Sequence, residues 1–373
     1  MKLLKLNFKG FRNLEDGFIE PGEKVNVIYG ENAQGKTNLL EAVWVLCGAH
    51  SFRGAKDSEL VGFNSEKARL YAEFYSQNRV QNVQINFYPT QNKKDKKEIL
   101  INAIPKSAAE LVEKTGAVVF SPEDLTLVKS GPAFRRKFID SAICRQKVKY
   151  ASVLGKYNKT LNQRNALLKD IPKHRELMET LEIWDTALCS LGGLLIKERI
   201  DYIKKLNLCA EEYHHGISSG REVLKITYDT NFETENLTSQ QLAEEMLKKL
   251  RAGVKEDLMR GYTGTGPHRD DVNMEINGVS ARNFGSQGQQ RSTVLSLKLA
   301  EARLHREITG ENPIVLLDDV LSELDNSRQD YLLNKTENYQ VFITCCEESN
   351  KEQLKNGRVF KIDRGKVRLM SSL

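Results

Sequence analysis

Gly30-Glu31-Asn32-Ala33-Gln34-Gly35-Lys36-Thr37 is the stretch of this 373-residue chain that decides how the rest is interpreted. It matches the pattern G-x-x-x-x-G-K-[ST], whose glycines let backbone N–H groups wrap phosphates at the start of a helix. The apolar run 25–29 predicts a strand before it, and the apolar spacing from Lys36 onward predicts a helix. We therefore expect a phosphate-binding loop in which Lys36 reaches the β- and γ-phosphates and the Thr37 hydroxyl binds Mg²⁺.

A second element is expected wherever such a loop occurs, namely an apolar strand that ends in a carboxylate. Ile314-Val315-Leu316-Leu317 predicts a buried strand, and Asp318-Asp319 follow it directly. Asp318 would hold Mg²⁺, and Asp319 would polarise the attacking water. Two aspartates after a strand are also typical of a turn or a helix cap. Because the phosphate-binding loop is present, we favour the metal site.

The third element is Gly285-Ser286-Gln287-Gly288-Gln289-Gln290-Arg291, which opens a predicted helix. A Ser at this place also fits an ordinary N-cap. The Ser lies 32 residues before Asp318, however, and Leu321-Ser322-Glu323-Leu324-Asp325 follows the aspartates. In this order the stretches resemble the signature motif, the Walker B motif and the D-loop of ABC-type ATPases.

The chain divides into three parts by its apolar pattern. Residues 1–130 and 261–373 alternate strands with helices, whereas residues 131–260 carry apolar positions at helical spacing. We predict an α/β fold, with an ABC-type, SMC-like P-loop ATPase head split in sequence. Residues 1–130 and 261–373 would form its two parts, and residues 131–260 an inserted α-helical arm domain.

The composition excludes several classes of protein. With 40% hydrophobic and 28% charged residues, the chain can bury a sizeable core, which argues against general disorder. No apolar run approaches the ~18 residues of a membrane span, so we expect no membrane partner. The six cysteines include no Cys-x-x-Cys pair, which favours a reduced, cytoplasmic location.

The positive charge is concentrated in one segment. The chain has a formal net charge of +6, while residues 131–170 alone carry ten basic and two acidic side chains. Such runs are typical of the solvated face of amphipathic helices, but they also fit backbone contacts with duplex DNA, which we favour. The candidate DNA-binding residues are Arg135, Arg136, Lys147, Lys149, Lys156 and Lys159.

The resemblance to ABC ATPases implies a site shared between two copies of the chain. These ATPases work as head-to-tail dimers, in which the signature Ser of one subunit contacts the γ-phosphate held by the other. By this resemblance, Ser286 and Gly288 would act in trans on bound ATP. The 250 residues between Lys36 and Ser286 argue for an SMC-like head with an arm. Phe11-Arg12-Asn13 resembles an N-terminal element of such heads, so Arg12 is a candidate nucleotide contact, with a surface salt bridge as the alternative.

At a closer level the chain resembles the bacterial RecF family. The resemblance is carried by Gly10-Phe11-Arg12-Asn13-Leu14, the stretch from Gly30 to Asn38, Ser121-Pro122-Glu123-Asp124-Leu125, Gly266-Pro267-His268-Arg269-Asp270-Asp271 and the stretch from Leu317 to Asp325. It implies an ATP- and Mg²⁺-dependent DNA-binding protein with Lys36, Asp319 and Ser286 as catalytic residues. It places nucleotide contacts at Gly30, Glu31, Asn32, Ala33, Gln34, Gly35, Lys36, Thr37 and Asn38.

The same resemblance implies partners and a pathway. ATP would drive dimerisation on DNA, and the dimer would act with RecR and RecO to help RecA load at gaps. These steps belong to recombinational repair, replication and the SOS response. None of them follows from composition or spacing.

Two positions depart from the wider ABC pattern. After the strand at 340–344, a transporter-type ATPase has a His, whereas this chain has Thr344, Cys345 and Cys346. Since a hydroxyl carries no positive charge, we expect slow hydrolysis that serves as a dimerisation switch. After Phe120, Ser121 and two acidic residues stand in place of a Q-loop Gln.

Two other functions stay open from the sequence alone. The first is a transporter-type ATPase subunit, and the second is a nucleotide-gated scaffold whose basic arm binds an acidic protein. Within the segment 266–271, His268, Asp270 and Asp271 are of metal-ligating types. We favour a structural role beside the nucleotide for this segment, because three residues in a row rarely converge on one ion.

Overall fold

The computed structural model describes residues 1–89, 97–346 and 357–372. Its strands are β1 (Lys2–Lys9), β2 (Gly17–Ile19), β3 (Val25–Tyr29), β4 (Ala68–Ser76), β5 (Arg79–Phe87), β6 (Lys97–Ile101), β7 (Ile104–Pro105), β8 (Ala117–Phe120), β9 (Leu224–Asp229), β10 (Asp271–Ile276), β11 (Val279–Ser280), β12 (Ile314–Leu317), β13 (Val341–Cys345), β14 (Arg358–Asp363) and β15 (Lys366–Ser372). Its α-helices are α1 (Lys36–Gly48), α2 (Ala108–Lys114), α3 (Pro132–Gln146), α4 (Val148–Asp170), α5 (Leu181–Ile217), α6 (Ser239–Arg260), α7 (Ala281–Phe284), α8 (Gln287–Thr309) and α9 (Asn326–Lys335). Within these three ranges, no helix has the length and hydropathy needed to cross a membrane.

One compact unit consists of Met1–Thr126 and Arg291–Leu373. It contains two six-stranded sheets, of order β2-β1-β4-β5-β6-β7 and β15-β14-β3-β13-β12-β8. The first sheet is antiparallel. In the second, β14, β3, β13, β12 and β8 run parallel, and β15 closes the edge as an antiparallel strand. The sequence-predicted α/β fold is confirmed in this unit.

The packing of α1 fixes the position of the phosphate-binding loop. The helix contacts strands of both sheets, and every residue from Leu39 to Gly48 is buried. β8 and β12 are buried at every position, as expected for strands covered on both faces of a parallel sheet. The carboxyl ends of β3, β12 and β13 therefore lie at one edge of the sheet, where open α/β folds bind ligands.

The second compact unit is Leu127–Gln290. It contains α3, α4, α5 and α6 together with an antiparallel sheet of order β11-β10-β9. α5 spans 37 residues. α6 approaches α5 closely at Gly193, where a Cβ atom would lie 2.2 Å from the carbonyl oxygen of Ser239. Only a glycine permits this approach of the two helices.

The boundary between the two units differs from the sequence prediction at one end. The predicted arm covered residues 131–260, whereas the compact helical unit extends to Gln290. The reason is strand pairing: β10 pairs along its whole length with β9, from Asp271 opposite Asp229 to Ile276 opposite Leu224. β10 and β11 therefore belong with the helices and not with the head.

Candidate functional site

The loop between β3 and α1 has the backbone conformation that its glycines allow. Gly30 has a φ of 155° and Gly35 a φ of 116°, values that side chains with a Cβ rarely adopt. A Cβ atom at Gly30 would also lie 2.3 Å from the carbonyl oxygen of Ile362 on β14. The loop is therefore built around both glycines of the motif, as the sequence pattern predicts.

Lys36 is held inside the loop that it follows. Its Nζ donates to the carbonyl oxygens of Gly30 at 2.6 Å and Glu31 at 3.1 Å, and the residue is 7% exposed. Its ammonium also lies 3.6 Å from the Cys346 sulfur, which in turn contacts Asn32 at 3.1 Å. A cation at the centre of a glycine-rich loop, at a helix N-terminus, suits a bound phosphate group.

Thr37 and Asp318 meet as the sequence predicts. The Thr37 hydroxyl donates to Asp318 Oδ1 at 2.9 Å, which joins the start of α1 to the end of β12. Asp318 is 6% exposed, and this burial raises its pKa, while hydrogen bonds from Thr37 and Thr344 lower it. A hydroxyl and a carboxylate in this arrangement are hard oxygen donors, so the two residues fit Mg²⁺. When bound, the ion would neutralise charge on the phosphate oxygens.

Thr344 ties the two aspartates together. Its hydroxyl donates to Asp318 Oδ1 at 3.0 Å and accepts from the backbone N–H of Asp319 at 2.8 Å. β12 and β13 are parallel neighbours with Leu317 opposite Ile343, so the next residue of each strand lies side by side. Asp319 has a φ of 53°, a left-handed conformation that is uncommon for aspartate. The Thr344 hydroxyl thus holds a strained residue in place.

Asn13 fastens the loop from outside. Its side-chain amide donates to the carbonyl oxygen of Ala33 at 3.3 Å and accepts from Asn38 at 2.6 Å. The turn between β14 and β15 contacts the same loop, since the N–H groups of Arg364 and Gly365 donate to Gln34 at 2.5 Å and 3.0 Å. The candidate nucleotide residues Ala33, Gln34 and Asn38 are therefore fixed by two other segments of the unit.

Arg12 forms an ion pair within the same unit. Its Nε and one terminal nitrogen donate to the carboxylate of Glu41 on α1, at 2.9 Å and 3.0 Å. Glu41 is fully buried and also accepts from Ser51. The geometry is that of a salt bridge, as in the alternative, but its carboxylate is buried and not at the surface; a nucleotide contact for Arg12 stays a prediction.

Ser286 is the N-cap of α8. Its hydroxyl accepts from the N–H of Gln289 at 3.2 Å, and its own N–H donates to the Gln289 side chain at 2.8 Å. Ser286 is exposed, and Gly288 is half-buried on the first turn of the helix. Both residues belong to the helical unit. The structure therefore shows the capping role, and action in trans stays a prediction.

Two of the candidate DNA-binding arginines are engaged elsewhere. Arg135 is 3% exposed and makes two hydrogen bonds of 2.7 Å with the carboxylate of Asp271. The proposed DNA contact of Arg135 is therefore not supported, because a buried ion pair leaves no guanidinium edge for a phosphate. Arg136 donates to the carbonyl oxygen of Asp270 at 2.6 Å, and burial lowers its pKa.

The candidate lysines, by contrast, lie at the surface. Lys149, Lys156 and Lys159 are exposed along α4, and in the part of the chain that the structure describes none forms an ion pair. Lys147 pairs with Glu198 at 2.5 Å and keeps 43% of its side chain exposed. Among the six candidate residues, the available positive charge thus lies on α4 and at its N-cap rather than on α3.

The metal-site alternative for the segment 266–271 does not agree with its side-chain contacts. His268 contacts Tyr157, Asp270 accepts from Thr230, and Asp271 pairs with Arg135. The three candidate ligands thus engage three different partners. A structural role for the segment fits these contacts, which lie within the helical unit, while its place beside the nucleotide stays a prediction.

Sequence reasoning missed Thr344 as the residue that orders both aspartates, as well as Arg53, and it marked Asn13 only as part of the Phe11-Arg12-Asn13 element. Arg53 donates to Asn38 at 3.1 Å, and its charge lowers the pKa of Asp318. The position of Thr344 at the carboxyl end of a strand was a signal, since polar residues at the ends of adjacent parallel strands meet. No comparable signal marked Arg53.

A glycine loop after one strand, with paired aspartates after a second parallel strand of the same sheet, defines a P-loop nucleotide-binding protein of the ABC-type ATPase fold. Residues 2–367 match the family described as the RecF/RecN/SMC N terminal domain. The DNA replication and repair protein RecF of Acetivibrio thermocellus is 39% identical over 350 residues, covering 93% of this chain and 94% of that protein. The chain belongs to the RecF family of DNA replication and repair proteins.

Solved structures agree with this assignment. A structure described as the recombination mediator protein RecF-ATPrS in the RecFOR pathway has a TM-score of 0.92 and 37% identity, and covers 99% of this chain and 98% of that one. A second, described as RecF-ATP in the same pathway, has a TM-score of 0.90 and 38% identity, and covers 99% of this chain and 97% of that one. Of the three functions considered from the sequence, these matches support the RecF-type protein, and not the transporter-type subunit or the nucleotide-gated scaffold.

Proposed function

We propose that this chain is an ATP-dependent DNA-binding protein that dimerises on DNA when ATP is bound. With RecO and RecR it would help RecA to load at gaps, in the cytoplasm, during recombinational repair and the SOS response. The observation that carries the proposal is the 2.9 Å hydrogen bond between Thr37 and Asp318 beside the Lys36 loop. Similar proteins described with ATP and in the RecFOR pathway support the ligand and the partners.

In this proposal each residue of the site has one task. Lys36 would bind the β- and γ-phosphates, Thr37 and Asp318 would hold Mg²⁺, and Asp319 would accept hydrogen bonds from the attacking water. Ser286 of a second copy would complete the site, so ATP would form part of the dimer interface. Hydrolysis, slow without a positively charged switch residue, would then release the dimer.

The role of Asp319 is tested by Asp319→Asn, which keeps the side chain's size but removes its charge. We expect the variant to bind ATP and to remain a dimer, because the water is no longer activated while the phosphate contacts are intact. Multi-angle light scattering with ATP and Mg²⁺ measures this state. A monomeric variant under these conditions would show that Asp319 is not the water-activating group.

The proposed DNA-binding surface is the exposed face of α4, defined by Lys149, Lys156 and Lys159. Lysines without a carboxylate partner are available to phosphates, and each phosphate contact contributes a salt-dependent gain in affinity. Charge reversal by Lys156→Glu with Lys159→Glu should weaken binding and lower the slope of log K against log salt by about 2. ATP hydrolysis in the absence of DNA should stay unchanged.

The matched control reverses the same number of charges elsewhere in the helical unit. Lys204 and Lys205 lie exposed on α5, so Lys204→Glu with Lys205→Glu should leave DNA binding near the wild-type level. Fluorescence anisotropy of a labelled duplex, with and without ATP and Mg²⁺, measures both variants. Equal loss in both would mean that net charge alone governs binding. Binding that is identical with and without nucleotide would refute the ATP-dependent step.

A further inference from the structure

The turn from Gly266 to Asp271 is fixed from inside the helical unit. Burial lowers the pKa of His268 to about 4, so the ring is neutral near pH 7. Its Nε2 lies 3.1 Å from the Thr263 carbonyl oxygen, to which it must donate. Its Nδ1 therefore accepts from the Tyr157 hydroxyl at 2.7 Å. This side chain points inwards and is largely buried.

The backbone and the acidic end of the turn are anchored as well. The buried Arg199 donates to the carbonyl oxygen of Pro267 at 2.5 Å. Asp270 is 4% exposed and accepts from Thr230 at 2.9 Å and from Tyr228. A Cβ atom at Gly266, whose φ is 134°, would lie 2.7 Å from the Tyr157 hydroxyl, so the turn packs directly on α4. Several buried contacts thus hold one short turn.

Arg269 is the residue of this turn that points outwards. It is exposed, and its guanidinium carbon lies 4.8 Å from the centre of the Tyr262 ring. Its hydrogen bonds go to a single neutral acceptor, the Thr263 carbonyl oxygen, at 3.3 Å and 3.4 Å. Among the described residues, no carboxylate lies within ion-pair distance of Arg269. The turn therefore presents an oriented cation that has no counter-ion among the residues the structure describes.

Arg269 lies beside the C-terminal half of α4, the helix that carries the proposed DNA-binding surface. The N–H and hydroxyl of Thr263 both donate to Asn165 of α4, at 2.8 Å and 2.7 Å. One turn further along, Lys169 lies against Gly261, where a Cβ atom would be 3.2 Å from the lysine Cγ. Lys169 is exposed. Lys169 is ten residues beyond Lys159, a rise of about 15 Å along α4. About 15 Å along the axis of a DNA duplex spans four to five phosphates of one strand.

We propose that Arg269, stacked on Tyr262, is a binding site for a backbone phosphate of DNA. Guanidinium presents a planar fork of donors that matches two phosphate oxygens, and the aromatic ring limits its rotamers before the DNA arrives. The ring also supplies a cation–π contact that costs the arginine none of its outward N–H groups. This inference rests on the DNA binding proposed above and adds a contact outside the basic segment 131–170.

The inference is tested in the full-length chain with ATP, Mg²⁺ and a fluorescent duplex. Arg269→Gln should weaken binding on the order of fivefold, because one charged contact to the DNA is lost, and lower the salt slope by about 0.9. Tyr262→Leu should give a smaller loss, whereas Tyr262→Phe, which keeps the ring, should bind like the wild type. Arg251→Gln is the matched control, since Arg251 is an exposed arginine of the same unit that pairs with Glu182.

The outcomes separate the two proposals. If Lys156→Glu with Lys159→Glu loses DNA binding while Arg269→Gln keeps the wild-type affinity and salt slope, the site at Arg269 is refuted and the DNA-binding surface on α4 stands. If the wild-type chain binds no DNA, both proposals fail. If Tyr262→Phe binds as poorly as Tyr262→Leu, stacking is not what orients Arg269, and that part of the inference is wrong.

Discussion

Replacing Thr344 by Val is the most direct test of how the two aspartates are ordered. Val has nearly the same shape as Thr, so the substitution removes the hydroxyl and little else. Thr344 is 1% exposed, and its hydroxyl contacts Asp318 at 3.0 Å and the N–H of Asp319 at 2.8 Å. Water cannot readily replace a group that is buried this deeply.

The expected loss follows from these two contacts. A hydrogen bond to a charged group contributes roughly 1.5–3 kcal/mol, and the N–H of Asp319 loses its acceptor, although this N–H is only partly buried. Relaxation of the left-handed backbone at Asp319 offsets about 1–2 kcal/mol of this loss in stability. We therefore expect the free energy of unfolding to fall by about 2–3 kcal/mol. The lost hydrogen bond should also raise the pKa of Asp318 further above its ordinary value.

Two assays measure the consequence. Urea unfolding followed by circular dichroism gives the change in stability, and steady-state hydrolysis of ATP gives kcat and KM. We expect kcat to fall at least about tenfold while KM changes less, because Asp319 loses its orientation and the Lys36 loop is untouched. Thr344→Ser, which restores the hydroxyl, should recover most of kcat.

The matched control is Thr336→Val in the same unit. Thr336 is 2% exposed, and its hydroxyl donates to the carbonyl oxygen of Leu332 at 2.9 Å, at the end of α9. That bond joins neutral groups, so its loss should cost about 1 kcal/mol and leave kcat unchanged. If Thr344→Val matches this control in both stability and kcat, the hydroxyl does not order the aspartates and the reasoning is refuted.

Three further predictions concern single groups. Asp257→Asn should destabilise the helical unit by about 1.5–3 kcal/mol in urea unfolding, because the fully buried Arg164 loses one of its two charged partners, at 2.7 Å, and keeps Asp185; a change below about 1 kcal/mol contradicts this. Burial raises the pKa of Asp270 from 3.8 to about 6, so the stability that this carboxyl contributes is lost as pH rises through this window. Burial lowers the pKa of His268 from 6.5 to about 4, so the stability that this ring contributes is lost as pH falls. Relative to the wild type, Asp270→Asn should therefore gain stability as pH rises from 4 to 6, and His268→Gln should lose stability, by up to about 3 kcal/mol each. Curves of stability against pH that run parallel to the wild-type curve would refute the assignment. Lys36→Arg should abolish dimerisation with ATP in light scattering, and a persisting dimer would exclude the phosphate contact.

Much of the head could be predicted because its signals are local. The glycine loop, the helix from Lys36 and the strand before Asp318 each follow from residue types at short spacing. The contact between Thr37 and Asp318 could be anticipated because strand and loop motifs of this kind occur together. The second hydroxyl that contacts Asp318, from Thr344, could not be anticipated, because its position depends on β12 and β13 being neighbours through long-range pairing.

The charge pattern was less informative, for a physical reason. A count of basic residues does not show which of them meet a carboxylate far along the chain. Arg135 pairs with Asp271, 136 positions away, and Arg164 with Asp257, 93 positions away. The surplus that favoured DNA binding is therefore partly internal, while Arg269, outside the counted segment, is exposed. The boundary at residue 290 was missed for the same reason, because it depends on β9 pairing with β10.

The carbonyl contacts of Lys36 have a consequence for the speed of nucleotide exchange. Its ammonium already has two acceptors, at 2.6 Å and 3.1 Å, so a phosphate must displace them rather than fill an empty position. The free energy that Lys36 contributes to phosphate binding is the difference between its hydrogen bonds to the phosphate and its hydrogen bonds to the two carbonyl oxygens. This difference is smaller than the contribution of either set of charge-assisted hydrogen bonds alone. A loop that can satisfy its own lysine releases its ligand at low cost, which suits the cycle of ATP binding and release proposed above.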